Sequence, residues 1–194
     1  GMKDADVLLL LGTDFPYDQF LPNTFTVQVE NRPEKLGRRT DVSLPIHSDV
    51  KPLIAALLPL LDRDRSDAFL KAKVKKHSKI MHSPVGAYTR NAEHMKPIHP
   101  EYAAHILNEV AAKDAVFTAD TGMCNVWTAR YIDPLGSRRL IGSLLHGSMA
   151  NALPMAIGAQ VAYPNRQVVS VSGDGGLAML LGALVTARMH DLPI

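Results

Sequence analysis

The sequence predicts an α/β protein with two partial Rossmann-like layers, each a parallel sheet. Short continuous apolar runs such as Val7–Leu11 are typical of strands buried in a parallel sheet. Segments with apolar residues at helical spacing lie between such runs, for example Ala103, Ile106, Leu107 and Val110. Several runs also end in glycine-containing loops. In α/β folds, loops at the carboxyl ends of the strands are the ones that meet a ligand.

Three strands and two helices are predicted in the first part of the chain. The strands cover residues 7–11, 25–29 and 42–46. A helix over residues 50–61 follows, with Asp49 as its N-cap, because an aspartate side chain can accept a hydrogen bond from a free backbone N–H. Residues 67–79 are compatible with a second helix. Residues 83–97 contain prolines and a glycine and are interpreted as a linker.

The second part repeats the α/β pattern after a helix that begins near His99. Its strands are predicted at residues 115–118, 139–141 and 167–172, and its other helices at residues 125–131, 147–161 and 177–190. We therefore divide the chain into a domain of residues 1–75, a linker of residues 76–97 and a domain of residues 98–194. Both ends look cut close to strands, so the chain is expected to be a fragment.

The composition is that of an ordinary soluble globular protein. The chain has 194 residues, of which 46% are hydrophobic and 21% are charged, and its net charge is +2. Its basic residues are scattered apart from four lysines within residues 71–76, so no nucleic-acid partner is expected. The single cysteine, Cys124, excludes an internal disulfide. No apolar run approaches the ~20 residues of a spanning helix, and no signal-like segment is found, so a cytoplasmic protein is expected.

The strongest chemical signal is the segment Gly173-Asp174-Gly175-Gly176, which follows an apolar strand and precedes a helix. Glycines at such a place let the backbone approach a ligand and take positive φ, and a helix start offers free N–H groups to an anion. Asp174 supplies a hard carboxylate oxygen that suits Mg²⁺ bridging phosphate oxygens. The pattern indicates a diphosphate site. The alternative is a plain connection between a strand and a helix.

Two further segments combine glycine with polar residues at predicted strand ends. One is Gly147-Ser148, where a helix start could approach a ligand closely, or where small residues could simply pack on the sheet. The other is Asp120-Thr121-Gly122. Because the carboxyl ends of parallel strands meet at one edge of a sheet, all three segments are expected to converge on one ligand site. His146 is interpreted as a structural histidine rather than an acid or base.

The first part of the chain carries a weaker signal for a cofactor. Gly12 ends the first strand and Glu30 ends the second, about 20 residues later, where dinucleotide-binding folds place an acid for a ribose hydroxyl. The full G-x-G-x-x-G pattern is missing. A merely structural α/β layer is the alternative here.

Together these segments resemble the pyruvate oxidase group of thiamine-diphosphate enzymes, especially the flavin-containing, quinone-dependent pyruvate dehydrogenases of bacteria. The matching stretches are residues 8–17, 126–131, 146–152 and 166–176. By this resemblance, residues 1–75 correspond to the C-terminal half of a central FAD-type domain. Residues 98–194 correspond to the N-terminal half of the thiamine-diphosphate domain, so the second layer would be a truncated thiamine-diphosphate-binding fold.

The resemblance implies cofactor contacts in the second domain. Asp174 would be the Mg²⁺ ligand, and Gly175 and Gly176 would line the diphosphate. Three further residues would contact thiamine: Gly147, Ser148 and Met149. No catalytic residue is implied within this chain, because the family's activating glutamate belongs to an N-terminal domain, and the isolated fragment is expected to be inactive.

The resemblance also implies an FAD site in the first domain. The family usually has an aspartate where Glu30 stands and a smaller polar residue where Arg32 stands. The residues expected to contact FAD are Gly12, Thr13, Asp14, Phe15, Glu30 and Asp49.

The activity implied by the resemblance is the oxidative decarboxylation of a 2-oxo acid, expected to be pyruvate, with electrons passing to FAD and then to a quinone or oxygen. The intact parent would be a homo-oligomer, a dimer or tetramer, and could lie peripherally on the inner membrane face. One alternative is an acetolactate synthase-like enzyme or a non-oxidative 2-oxo acid decarboxylase. Another, of a different class, is a non-catalytic nucleotide-binding or assembly module.

Overall fold

Two compact units make up the structure, which is a computed structural model of the chain. The first unit is Gly1–Ser78 and the second is Lys79–Ile194. The described residues are 2–15, 17–62, 66–82, 85–90 and 92–194. Pro16, in a stretch that resembles the pyruvate oxidase group, and Pro84, in the predicted linker, lie outside them.

The first unit is built on a three-stranded parallel sheet. Its strands are β1 (Val7–Leu11), β2 (Phe25–Glu30) and β3 (Leu44–His47), in the order β1-β2-β3. Helix α1 (Val50–Leu57) follows β3, and the division between the units falls within α2 (Ala68–His82). The central strand buries Gln28, whose side chain donates to the Lys35 carbonyl at 3.2 Å and accepts from the Gly37 N–H at 2.8 Å. Both ends of this buried amide are therefore satisfied.

The strands of the first unit lie close to their predicted positions, with one shift in β3. This strand begins at Leu44 rather than at Val42. The Thr26 N–H donates to the hydroxyl of Ser43 at 3.1 Å, so a side chain makes a bond here that the backbone would make in a regular ladder. The regular pairing of β2 with β3 starts one residue later, at Val27 and Leu44.

The predicted helix over residues 50–61 is shorter than expected. It ends at Leu57 and continues as a 3₁₀ turn, Leu58–Leu60, because Pro59 has no N–H to donate to the preceding turn. Asp49 occupies the N-cap position, but its side chain makes no capping bond and accepts instead from the Asn31 amide at 3.1 Å. The N-cap position predicted for Asp49 is therefore confirmed, whereas the capping hydrogen bond expected from its side chain is not made.

The second unit has a second three-stranded parallel sheet, with β4 in its centre. Its strands are β4 (Val116–Ala119), β5 (Arg139–Gly142) and β6 (Val168–Val171), in the order β5-β4-β6. Its helices are α3 (Pro100–Val110), α4 (Met123–Tyr131), α5 (Ala152–Ala162), α6 (Asp174–Met179) and α7 (Ala183–Met189). The α/β class with two parallel sheets is confirmed. In the described part of the chain, no helix is both long and apolar enough to cross a membrane.

The core of the second unit surrounds β4, whose four residues are all buried. On one face of the strand, Phe117 packs with Ala111, Ala115 and Ile132. On the other face, Val116 packs against α5 and β6. Because apolar contacts hold the central strand on both sides, the loop that leaves its carboxyl end starts from a fixed point.

The helix predicted to start at Gly147 begins at Ala152 instead. Gly147 has φ +66° and Ala150 has φ +61°, and neither left-handed backbone can continue a right-handed helix. The Gly147 N–H donates to the Ser143 carbonyl at 2.8 Å and closes a turn. Residues 147–151 are therefore a loop, and the predicted helix start at Gly147 is wrong.

The single helix predicted over residues 177–190 is two helices. The first, α6, begins at Asp174, where an acidic side chain in the first turn interacts favourably with the helix dipole. It ends at Met179, because the next residue, Leu180, has φ −127° and ψ 34°, outside the helical region, and Gly182 then forms the N-cap of α7. A glycine inside a helix is unfavourable by about 1 kcal/mol relative to alanine, which favours a break at this point.

Candidate functional site

Three loops meet at the carboxyl edge of the second sheet, around a cavity of about 260 Å³. The loop after β4, with the start of α4, contributes residues 120–124, and the loop after β6, with the start of α6, contributes residues 173–176. The loop after β5 contributes Met149. The convergence of three strand ends that the sequence predicts is present in the structure.

The Gly173-Asp174-Gly175-Gly176 turn brings a carboxylate and bare backbone to this cavity. Asp174 is exposed and is the first residue of α6. A Cβ added to Gly175 would lie 3.5 Å from Cε of Met149, an ordinary contact, whereas one added to Gly176 would lie only 2.2 Å from Oδ2 of Asp120. The glycines allow close approach as predicted, but the positive φ expected for them is not found. A glycine is needed at position 176 because the Asp120 carboxylate leaves no room for a Cβ, and not because of the backbone conformation.

Asp120 makes hydrogen bonds that connect several of the elements around this cavity. Its side chain is 1% exposed, and Oδ1 accepts from the N–H of Ala152, the first residue of α5, at 2.7 Å. Its backbone N–H donates to the Val171 carbonyl at 3.0 Å, and its carbonyl accepts from the Cys124 thiol at 3.1 Å. Asp120 thus joins the end of β4 to the end of β6 and to the start of α5.

The loop of residues 147–151 reaches the cavity through one side chain. Met149 is 49% exposed and lines the cavity, next to Gly175. Gly147 and Ser148 are not among the lining residues. They lie beside Thr121, which does line it: the Thr121 N–H donates to the Ser148 carbonyl at 3.4 Å. Of the six residues predicted for this site, the structure places Met149 and the three of the Asp174 turn around one cavity.

A second cavity, of about 530 Å³, lies in the first unit at the carboxyl ends of its three strands. Gly12 follows β1 with φ +56°, and a Cβ there would lie 3.1 Å from Cγ2 of Val50, so a glycine is favoured at this position for two reasons. The residues around the cavity are Gly12, Glu30, Asn31, Ser48, Asp49 and residues 50–52.

The acids of this second cavity are held by Asn31. Glu30 is 5% exposed, and its Oε1 accepts from the Asn31 N–H at 3.2 Å. The Asn31 amide donates to Oδ1 of Asp49 at 3.1 Å. The structure therefore brings three residues predicted for FAD together, namely Gly12, Glu30 and Asp49.

The other three residues predicted for FAD do not line this cavity. Asp14 instead forms an ion pair with Arg39, whose Nε donates to Oδ1 at 2.9 Å, and lies 3.6 Å from Arg38. The hydrogen bond from Arg39 holds the pKa of the Asp14 carboxyl below its ordinary value. The ring of Phe15 packs edge-on to Tyr17 at 5.7 Å, and Thr13 is likewise absent from the lining.

The Asp14 ion pair predicts a pH-dependent contribution to stability. Because its pKa is lowered in the folded state, the carboxylate stabilises the fold above its ordinary pKa of 3.8, and this contribution is lost as the pH falls through the folded-state pKa. We expect Asp14→Asn to lower the thermal midpoint slightly at neutral pH and by less in acid. Thermal unfolding at a series of pH values measures this, with Asp18→Asn as the exposed control. A difference that grows on acidification would contradict the assignment.

Two family models match the chain. The model described as "Thiamine pyrophosphate enzyme, C-terminal TPP binding domain" matches residues 120–194, and "Thiamine pyrophosphate enzyme, central domain" matches residues 1–57. The chain belongs to the thiamine pyrophosphate enzyme family. The first match starts at Asp120 and includes all three loops of the smaller cavity. The second includes β1, β2, β3 and α1, whose ends surround the larger one.

Curated proteins from several bacteria align along the whole chain. A putative thiamine pyrophosphate-containing protein, YdaP of Bacillus subtilis, is 33% identical over all of this chain and 33% of its own length. Pyruvate oxidase of Lactiplantibacillus plantarum and an acetolactate synthase of Mycobacterium bovis are each 28% identical over all of this chain and 32% of their own length. The chain thus spans about a third of the length of these relatives.

The residues of the smaller cavity fit a metal that is held jointly with phosphate. Among the described residues, no three His, Cys, Asp or Glu side chains gather into a group that could hold a metal ion alone. Asp174 offers one exposed carboxylate beside Gly175, which is also exposed, whereas Gly176 is buried against Asp120. Mg²⁺ usually takes only one or two protein carboxylates and completes its shell with phosphate oxygens and water. This donor set therefore suits Mg²⁺ carried by a diphosphate.

The site includes residues for which no role was predicted from the sequence. Cys124 and Trp127 line the smaller cavity from α4, and Met123 lines it beside them. Residues three and four apart share one face of a helix, so a helix starting at the Asp120-Thr121-Gly122 loop could have indicated them. The structure also assigns Asp120 a buried position that its place in a strand-end loop did not reveal.

Proposed function

We propose that the protein is a thiamine-diphosphate-dependent enzyme and that the cavity at the carboxyl edge of the second sheet holds the diphosphate of the cofactor with Mg²⁺. One observation carries the proposal. The exposed carboxylate of Asp174 starts α6, and Gly175 and Gly176 follow it at the point where the opposite loops come closest. The family match over residues 120–194 supports it.

The six residues predicted for this site each have a role in this proposal. Asp174 supplies a carboxylate oxygen to Mg²⁺. Gly175 and Gly176 line the diphosphate: Gly175 is exposed and leaves room for its oxygens, and Gly176 lets the turn lie close to Asp120. Met149 presents an apolar side chain on the opposite side of the cavity and contacts thiamine. Gly147 and Ser148 belong to the loop that carries Met149, and they contribute to the thiamine contact by shaping this loop.

The proposed substrate is a 2-oxo acid, with pyruvate as the first candidate. Bound thiamine diphosphate supplies an electron sink for cleavage of the bond next to the 2-oxo group, and the protein supplies orientation and exclusion of water. The proposed overall reaction converts pyruvate, water and an oxidised acceptor to acetate, CO₂ and the reduced acceptor, with FAD passing electrons to a quinone or oxygen. The pyruvate oxidase relative supports this reading.

The larger cavity is the proposed FAD site. Gly12 allows close approach of the backbone, and Glu30 and Asp49 offer carboxylates of the kind that accept hydrogen bonds from ribose hydroxyls. The pairing of Asp14 with Arg39 removes Asp14 from direct contact in this proposal. Thr13 and Phe15 would then act by shaping the loop after β1.

An acetolactate synthase-like reaction is the second candidate. The acetolactate synthase of Mycobacterium bovis is as similar to this chain as the pyruvate oxidase of Lactiplantibacillus plantarum, at 28% identity each. Both reactions would use the same diphosphate cavity. They differ in the fate of the two-carbon fragment, which is passed to a second 2-oxo acid rather than oxidised.

Product analysis of the full-length protein tests the proposal. The protein is incubated with thiamine diphosphate, Mg²⁺, pyruvate and a soluble quinone, and its visible flavin spectrum is recorded. Acetate with stoichiometric reduction of the quinone is the expected result. Acetolactate would favour the synthase and acetaldehyde a non-oxidative decarboxylase. An absence of thiamine-diphosphate binding would leave a non-catalytic module and would overturn the proposal.

We further propose a homo-oligomer, a dimer or tetramer, for the intact protein. Large apolar side chains are exposed along α7 and the turn before it, at Leu180, Leu181, Leu184, Val185 and Met189. Contiguous apolar surface of this kind is typical of a protein interface. Analytical ultracentrifugation checks this, and a monomer at micromolar concentration would contradict it.

A further inference from the structure

The carboxylate of Asp120 has one satisfied oxygen and one that is not. Oδ1 accepts from the Ala152 N–H at 2.7 Å. Oδ2 is fully buried and has no hydrogen-bond partner in the described part of the chain. A buried carboxylate oxygen without a donor is unfavourable, so the presence of a carboxylate at this point indicates a role beyond packing.

The unsatisfied oxygen faces the glycine turn of the cofactor cavity. A Cβ built on Gly176 would lie 2.2 Å from Oδ2 and 3.0 Å from Cγ of Asp120, and 3.5 Å from the backbone nitrogen of Ala150. These distances show that the α carbon of Gly176 already rests against the carboxylate. The turn cannot move closer to the end of β4 while Asp120 is present.

We propose that Asp120 is a positioning residue for the diphosphate cavity. One oxygen fixes the start of α5, and with it the loop of residues 147–151, while the other sets how closely the turn of Gly176 can approach. The carboxylate therefore determines the spacing between the two loops that face each other across the cavity. This inference rests on the proposed function, because the spacing matters only if the cavity receives a diphosphate.

A carboxylate fits this position better than an amide of the same size. In Asp120→Asn, the amide oxygen could accept from Ala152, but the NH₂ group would then point two hydrogens at Gly176. With the amide reversed, two donors would face each other at Ala152. Neither orientation keeps both contacts, so the loops are expected to move apart.

A double-mutant cycle in the full-length protein tests the inference. The wild type, Asp120→Ala, Gly176→Ala and the double variant are titrated calorimetrically with thiamine diphosphate in saturating Mg²⁺. We expect each single substitution to weaken binding at least about tenfold, since small displacements in a preorganised site have large effects. In the double variant the added methyl group occupies space that the carboxylate vacates. Its loss should be at least about tenfold smaller than the product of the single losses.

Thr118→Val is the matched control. Thr118 is buried on the same strand, and its hydroxyl donates to the Ala152 carbonyl at 2.7 Å, so it contacts the same helix start as Asp120. Unlike Asp120, Thr118 is not among the residues that line the cavity with the glycine turn. We expect this variant to unfold at a lower temperature but to bind thiamine diphosphate within about threefold of the wild type, because removing a buried hydrogen bond affects stability.

The outcomes separate the inference from the proposed function. A wild type that does not bind thiamine diphosphate overturns both. A wild type that binds, with single losses that simply multiply in the double variant, overturns the positioning role alone. If Asp120→Ala fails to fold, the isosteric Asp120→Asn decides: at least about tenfold weaker binding with an unchanged circular dichroism spectrum supports the inference, and wild-type affinity contradicts it.

Discussion

Replacing Asp174 with alanine is expected to weaken binding of thiamine diphosphate in Mg²⁺ by at least about a hundredfold, because the substitution removes the only carboxylate that the proposed metal contacts in the turn. The fold should change little. Asp174 is exposed, and its loss costs only the interaction with the helix dipole, about 0.3–1 kcal/mol. Calorimetric titration of the wild type and of Asp174→Ala, each with Mg²⁺ and with a chelator, measures the effect.

Asp191→Ala is the matched control for Asp174→Ala. Asp191 is another exposed carboxylate of the second unit, paired with Arg188 at 2.8 Å and away from the residues that line the cavity. We expect its affinity to equal that of the wild type. In the chelator, the wild type and Asp174→Ala should bind equally weakly. If Asp174→Ala binds thiamine diphosphate in Mg²⁺ as tightly as the wild type does, the metal does not bind at Asp174.

Phe117→Ala is expected to destabilise the protein by about 3–5 kcal/mol, the range found when a buried aromatic side chain is truncated. Phe117 is 0% exposed and packs with Ala111, Ala115 and Ile132 in the centre of the second unit. Leu135→Ala, at a side chain that is 70% exposed, should change the free energy of unfolding by less than about 0.5 kcal/mol. Denaturant unfolding measures both.

The Phe117 prediction also links the core to the cavity. β4 ends at Ala119, and Asp120 follows it directly, so a loosened strand would displace the residue that joins the three loops. Cofactor affinity is therefore expected to fall together with stability in Phe117→Ala. A loss of stability below about 1.5 kcal/mol would show that the core around β4 is less tightly packed than the structure indicates.

The strands could be predicted from the sequence because short apolar runs that end in glycine or polar residues are typical of buried parallel strands. β4 and β6 lie within one residue of their predicted bounds at each end, and so does β5. Helix starts were harder. Residues 147–161 are rich in Gly, Ala and other small residues, which hid the left-handed residues Gly147 and Ala150. Pro154 is the local signal that was missed, because proline is tolerated in the first turn of a helix but not in its interior.

The candidate site could be predicted only where the residues that would bind the ligand are neighbours in the sequence. The Asp174 turn combines a carboxylate with glycines in four consecutive residues, so its position after a strand could be read directly. The contact of Asp120 with Gly176 joins residues far apart in the chain, and the same holds for the pairing of Asp14 with Arg39. Such contacts depend on tertiary packing and leave no periodic signal in the sequence.

The central claim is that thiamine diphosphate and Mg²⁺ bind where the three loops of the second unit meet. A crystal structure of the full-length protein grown with thiamine diphosphate and Mg²⁺ tests it most directly. We predict diphosphate density against Gly175 and Gly176, with the metal bound to the Asp174 carboxylate. Diphosphate density elsewhere, for example in the cavity beside Glu30, or an empty turn at saturating cofactor, would contradict the assignment.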